Sequence, residues 1–205
     1  GKSDAVSLGL TNTYYGANGS YLDLVGQVSW LRNKYEARSG ANPSSQNGWG
    51  AAVSVEAGHS FALGKSASMG GSWSIEPQAQ LIYQYVNLSD FNDGTRHVDQ
   101  NGQDGLRGRL GARLSYNGGS QGQKANTFYA VANVWHDFLN PSSVDIGQDS
   151  LREKYANTWG EVGVGVEVPV AKNSYVYGDA RYERDLGSTK REGYRGVVGF
   201  KYTWK

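Results

Sequence analysis

Large apolar or aromatic residues alternate with small, polar or charged ones along most of this chain. In the C-terminal stretch they fall at Val198, Phe200, Tyr202 and Trp204, with Val197, Gly199, Lys201 and Thr203 between them. Side chains on a strand point to opposite faces with period two, so one face of this stretch is greasy and the other small or polar. The same period, broken by turn-rich segments, predicts nine strands: 5–15, 20–36, 49–63, 72–88, 105–117, 126–139, 158–171, 174–185 and 193–204. In the third, Trp49, Ala51, Val53, Val55 and Phe61 oppose Gly50, Ser54, Glu56 and Gly58. The fourth sets Trp73, Ile75, Pro77, Ala79, Leu81, Tyr83 and Tyr85 against Ser74, Glu76, Gln78, Gln80 and Gln84. In the fifth, Leu106, Leu110, Ala112, Leu114 and Tyr116 alternate with Arg107, Arg109, Arg113 and Ser115. The seventh sets Val162, Val164, Val166 and Val168 against Glu161, Gly163, Gly165 and Glu167; the eighth, more weakly, Val176, Ala180 and Tyr182 against Tyr177, Asp179, Arg181 and Glu183.

A soluble β-sandwich also alternates, but strand length separates the two cases. Many segments here run 12–17 residues, against about 5–6 for an ordinary strand. A tilted strand needs about 9–11 residues to cross hydrocarbon. Aromatics gather near the segment ends, at Tyr14, Tyr15, Tyr21, Trp30, Trp49, Trp73, Tyr83, Tyr85, Trp159 and Trp204, as interfacial girdles require. The expectation is an all-β protein: one antiparallel transmembrane β-barrel domain over residues 1–205, with about nine strands in this chain.

The connections alternate too. Those at 17–19, 64–71, 118–125 and 172–173 are short or moderate; those at 37–48, 89–104, 140–157 and 186–192 are longer and polar. With short turns in the periplasm and long loops outside, Trp204 ends on the periplasmic side and the first strand begins at the outer surface. An odd strand number leaves an open edge, which is costly in lipid. Upstream strands missing from this sequence, or strands from a partner chain, are therefore expected; the loops are too short to hide a further pair.

Composition fits an envelope protein. Mean hydropathy is −0.58 and no apolar run of about 18 residues occurs, but a barrel needs neither, because only alternate residues meet lipid. Twenty-nine Gly and fourteen Tyr suit bent strands and a headgroup boundary. No cysteine is present to mispair in an oxidising compartment. A net charge of +1 gives no electrostatic case for nucleic acid. Gly1-Lys2-Ser3-Asp4 is not a signal peptide, so a processed or excerpted chain is expected.

Specific motifs carry a family resemblance. Trp73-Ser74-Ile75-Glu76-Pro77-Gln78-Ala79-Gln80-Leu81 resembles the W-x-I-E-P-Q-A-Q-L signature of the autotransporter β-domain, the translocator of type V secretion. Leu8-Gly9-Leu10 with Gly19-Ser20-Tyr21-Leu22-Asp23-Leu24 is similar to its G-x-Y-x-D-L strand pair, and Gly108-Arg109-Leu110-Gly111-Ala112-Arg113 to its G-R-x-G-x-R strand. Glu161-Val162-Gly163-Val164-Gly165 and the closing Gly199, Tyr202 and Trp204 complete a likeness that covers essentially the whole chain. The resemblance implies a twelve-stranded barrel in a Gram-negative outer membrane, threaded by a lumen helix that follows an exported N-terminal passenger. This sequence departs from the pattern by lacking about three strands, the helix and the passenger, and by ending Trp204-Lys205. The function expected is export or anchoring of that passenger.

Glu56, Glu76, Gln78, Gln80, Arg107, Arg109, Arg113, Glu161, Glu167, Asp179, Arg181 and Glu183 fall on the predicted lumen faces. They read as a hydrated lining that passes an extended polypeptide and then holds the helix, or simply as the polar wall any lumen needs, with opposite charges paired across strands. Gly199, Phe200, Tyr202 and Trp204 resemble the C-terminal signal read by the barrel-assembly machinery, with Val197 a mismatch in its polar slot. His59, His97 and His136 are scattered; His136-Asp137 is the one pair near a rim, so no enzyme is expected. Asp90, Asp93, Asp99 and Asp104 lack the regular calcium-loop spacing, and no metal or cofactor is expected. An outer-membrane barrel enzyme, a small porin and a soluble β-barrel binding protein are the competing readings.

Overall fold

The computed structural model describes residues 2–35, 44–65, 70–89, 91–92, 97–98, 103–118, 126–139, 144–146, 149–151, 157–171, 173–187 and 192–202. Nine long strands dominate: β1 (Lys2–Tyr15), β2 (Ser20–Tyr35), β3 (Ser44–His59), β5 (Ser72–Leu88), β8 (Gln103–Gly118), β9 (Asn126–Asp137), β12 (Thr158–Ala171), β13 (Ser174–Asp185) and β14 (Glu192–Tyr202). Between them lie the short strands β4 (Phe61–Lys65), β6 (Phe91–Asn92), β7 (His97–Val98), β10 (Val144–Ile146) and β11 (Asp149–Leu151). The long strands pair in chain order, each antiparallel to the next, giving one wide meander that forms half a barrel. Among the described residues no strand pairs with the outer edge of β1 or of β14.

The expected segments correspond to these strands, with corrections. β3 begins at Ser44, because residues 44–48 continue the ladder with residues 31–35 where a loop was expected. The segment 49–63 is two strands, broken at Ser60. The cause is Pro77, which has no N–H to donate. On the neighbouring strands, Gly58 pairs with Gln78 and Phe61 with Ile75, so the ladder skips the residues facing Pro77. Ser60 N–H donates instead to Gly19 O in the β1–β2 turn, at 3.0 Å. That turn needs a left-handed residue, supplied by Gly19 at φ 88°. The longer loops do hold strand pairs, β6–β7 and β10–β11, contrary to expectation. Ladders of two or three residues fit in a few positions, lie off the main sheet and leave the count of long strands at nine.

The registers divide the sheet into two faces. Val6, Leu8, Leu10, Leu24, Val28, Val53, Val55, Leu81, Leu110, Val134, Val162, Val164, Val198 and Phe200 all lie on one of them. This face is exposed: Leu10 at 80% and Val198 at 84%. The opposite face carries most of the charges and is the more buried, with Glu161 at 2% and Arg109 at 9%. The arrangement inverts that of a water-soluble protein, where ionised groups are almost never the buried set. Three residues expected in the aromatic girdle, Tyr15, Tyr21 and Trp159, sit on the charged face instead. Their neighbours Tyr14, Leu22 and Thr158 take the outward parity. Tyr14, Trp30, Trp49, Trp73, Tyr83 and Tyr85 do lie on the apolar face; Trp204 is outside the described residues.

Candidate functional site: an ion-paired polar face

The long strands place the polar side chains by parity alone. Arg107, Arg109 and Arg113 are two and four residues apart on β8, so all three project from the same side. Cross-strand registers carry that side outward to Glu76, Gln78 and Gln80 on β5 and Glu56 on β3. In the other direction they lead to Glu161 and Glu167 on β12 and to Asp179, Arg181 and Glu183 on β13. All twelve charged or amide residues singled out from the sequence share this face.

Two transverse ribs of contacts join them. In the first, Tyr21 Oη donates to Glu56 Oε1 at 2.5 Å, and Glu56 Oε2 accepts from Arg109 Nη2 at 2.7 Å. The Arg109 guanidinium stands 5.5 Å from the centre of the Trp135 ring, a cation–π distance. Trp135 stacks on Trp159 with ring centres 6.0 Å apart and planes 5° from parallel. Arg107 lies over Trp159 at 4.8 Å and binds Asp137 with two of its nitrogens, Nε to Oδ1 at 2.6 Å and Nη2 to Oδ2 at 3.0 Å. A forked pair of this kind fixes orientation as well as charge.

The second rib centres on Glu161. Its Oε1 accepts from Asn133 Nδ2 at 2.6 Å and from Arg181 Nη1 at 2.9 Å, while Arg195 Nη2 stands 3.6 Å from Oε2. Arg181 Nε donates to Asp179 Oδ1 at 2.8 Å, and Asp179 Oδ2 accepts from Tyr129 Oη at 2.8 Å. Arg113 covers the Tyr129 ring at 3.9 Å. A carboxylate as buried as Glu161 is tolerable only with such partners.

The remaining predicted residues lie on the same face, among and beside the ribs. Glu76 accepts from its neighbour Gln78 at 2.7 Å, and Gln80 Nε2 donates to Ser54 Oγ at 2.9 Å. Glu167 lies opposite Thr127, towards the short-turn end, and Glu183 opposite Glu161. Tyr21, Tyr129, Asn133, Trp135, Asp137, Trp159 and Arg195 were not singled out for this face from the sequence. Parity against Ala130, Ala132 and Val134 is the signal that places Tyr129, Asn133 and Trp135 on it.

Glycines shape the wall between these groups. Cβ atoms built on Gly58, Gly165 and Gly199 would overlap the rings of Tyr21, Tyr129 and Tyr177, each the direct cross-strand neighbour. Gly199 thus belongs to the polar face, whereas Phe200 and Tyr202 point to the apolar one.

The histidine pair dissolves in three dimensions. His136 faces the apolar side, with Nδ1 2.7 Å from Thr158 Oγ1, whereas Asp137 faces the polar side and holds Arg107. His59 lies 2.7 Å from Ser20 Oγ at the short-turn end. His97 falls in strand β7 where a loop was expected. Asp104 accepts from Tyr83 Oη; Asp90, Asp93 and Asp99 lie outside the described residues. The polar face is therefore a surface of fixed charges, several of them joined in ion pairs.

Comparison with known proteins agrees with this geometry. A family model described as "Autotransporter beta-domain" matches residues 1–181. The adhesin BmaC autotransporter of Brucella suis is 27% identical over 99% of this chain and 6% of its own length. The pertactin autotransporter of Bordetella parapertussis is 29% identical over all of this chain and 22% of its own length. This chain thus spans only a small part of each relative. The crystal structure of the transport unit of the autotransporter AIDA-I from Escherichia coli superposes with a TM-score of 0.81 at 21% identity, over 98% of this chain and 66% of that one.

Proposed function

Because this chain belongs to the autotransporter β-domain family, an outer-membrane family, we propose that residues 1–205 are a translocator domain that exports an N-terminal passenger and anchors it at the cell surface. The observation that carries this reading is the inverted sheet, with an apolar face exposed to the surroundings and an ion-paired face turned inward. In lipid the first is the stable arrangement. In this reading the polar face lines the lumen, with Glu56, Glu76, Gln78, Gln80, Arg107, Arg109, Arg113, Glu161, Glu167, Asp179, Arg181 and Glu183 as its wall.

The long-loop rim faces outside, and the C-terminus is periplasmic. Partners are the outer-membrane lipid, the chain's own passenger and lumen helix, and the barrel-assembly machinery, which reads Gly199, Phe200, Tyr202 and Trp204. Ion pairs along the wall reduce the bare charge that an extended polypeptide meets in transit. Translocator domains of this family are not enzymes, and the role proposed for this chain is spatial, not covalent.

The test is to express the full-length protein containing these residues in a Gram-negative host and add protease outside the cells. Release of upstream sequence while the β-domain stays in the washed outer membrane supports the reading. A β-domain recovered in the soluble fraction, or a passenger protected from external protease in intact cells, contradicts it.

A further inference from the structure

One corner of the apolar face breaks its own rule. At the long-loop rim of β1 and β2, Lys2 stands directly opposite Lys34, and Arg32 lies on the same face two residues further in, opposite Asp4. Like charges directly opposite one another destabilise a ladder. Asp4 relieves this only in part, at 3.6 Å from Lys2 Nζ, and among the described residues neither Arg32 nor Lys34 has a carboxylate partner. All four side chains are exposed.

Their surroundings are ordered by depth. One step towards the middle of the sheet, Trp30 pairs with Trp49 on one side and Val6 on the other; below them come Val28, Ala51 and Leu8. Cations thus sit immediately above an aromatic band, with Asn47 and Ser45 beside Arg32 and Lys34. The opposite rim differs. Among the described residues, the apolar face carries no lysine or arginine at its short-turn end. The other cation of this face among the described residues is Arg184, which has Glu192 opposite it. Among the described residues, this face thus has cations in excess of carboxylates at one corner of one rim, where Lys2, Arg32 and Lys34 share Asp4.

We propose that Lys2, Arg32 and Lys34 form a site for the phosphate groups of an anionic glycolipid in the outer leaflet, its acyl chains lying against Trp30 and Trp49. The proposal rests on the orientation given above, with the long loops outside. A phosphate between Lys2 and Lys34 would turn a repulsive pair into two charge-assisted contacts. The apolar band directly beneath favours a lipid over free phosphate, since a soluble anion would leave the two tryptophans unused. Three cations at neighbouring positions of one face also distinguish this corner from single snorkelling side chains, which serve any leaflet.

The test uses the full-length protein purified in a phosphate-free neutral detergent, titrated with diphosphorylated lipid A in mixed micelles. Affinity is read by native mass spectrometry and by the shift in thermal midpoint. Arg32→Gln/Lys34→Gln is expected to weaken lipid A about thirtyfold, from about 1 kcal/mol for each basic residue near a charged lipid surface. Arg184→Gln at the same rim is expected to leave it unchanged. Equal binding by the double variant overturns the proposal, and so does equal binding of inorganic phosphate or phosphatidylglycerol by the wild type. The double variant is also expected to keep heat-modifiable mobility and a surface-exposed passenger. Loss of lipid A with those two intact separates this site from the translocator reading, whereas wild-type protein absent from the outer membrane would sink both.

Discussion

Arg109 on β8 reaches Glu56 on β3 at 2.7 Å, across the position of Gln80 on the strand between them. Both side chains are largely buried, at 9% and 20% exposure. The bridge ties together two strands that share no backbone hydrogen bond. Removing one partner leaves an ion in a poorly hydrated place, which costs more than removing both. Arg109→Leu is expected to destabilise the folded barrel by about 3 kcal/mol, and the double variant Arg109→Leu/Glu56→Gln by less than the sum of the single effects. Denaturant unfolding of the four proteins in detergent micelles measures the coupling, expected at about 1–3 kcal/mol. Strict additivity would mean that the bridge does not act as a unit.

Tyr129 on β9 covers Gly165 on β12, where a Cβ would overlap its ring. Gly165→Ala must push the ring aside and disturb its bond to Asp179, at an expected cost of about 1–3 kcal/mol. Tyr129→Ala in the same chain removes the clash, so adding Gly165→Ala to that background is expected to cost much less. Refolding yield and thermal midpoint of the four proteins provide the readout.

The two faces should respond oppositely to a new charge. Val164→Arg, on the apolar face of β12, is expected to cost about 2–4 kcal/mol if it lies near mid-membrane. Gln84→Lys, on the polar face of β5, is expected to change stability by no more than about 0.5 kcal/mol. Heat-modifiable mobility of both variants in outer-membrane fractions checks the contrast.

Assembly should depend on the closing strand. Phe200→Ala and Trp204→Ala are expected to lower the amount of folded barrel in the outer membrane and to slow its insertion. Detergent refolding of the purified Trp204→Ala protein should stay close to wild type, because recognition and not stability is affected. Wild-type insertion kinetics in cells would count against the signal.

Parity carried most of the fold. Alternation in β5, β8 and β12 is strong enough that the faces of Glu76, Arg109 and Glu161 could be read from neighbouring residues, and the observed registers place them accordingly. What periodicity could not supply was pairing across a strand. Nothing local to Glu56 points to Arg109, 53 residues away. Trp159 looked like a girdle residue because aromatics at strand ends usually are. Its odd parity with Glu161 and Gly163 was the contrary sign, and the stack on Trp135 depends on register. Pro77 also carried more information than an apolar position: its missing N–H marks the break between β3 and β4. The extra length of β3 is not legible in the sequence because Ser44-Ser45-Gln46-Asn47 has the composition of a loop, yet Gln46 is buried and donates to Ser89 O at 2.9 Å.

The two-faced sheet is open to a direct measurement, because residues 1–205 contain no cysteine and a thiol introduced among them is unique within this domain. Single cysteines at Leu81, Val164 and Phe200, and at Gln80, Asn133 and Asp179, would be labelled with an environment-sensitive fluorophore in the full-length protein in lipid vesicles. The first three are expected to be quenched by nitroxides on the lipid chains and the second three by a water-soluble quencher, alternating residue by residue between Gln80 and Leu81. Aqueous quenching at Leu81, Val164 and Phe200 with lipid quenching at none of the six would contradict the account.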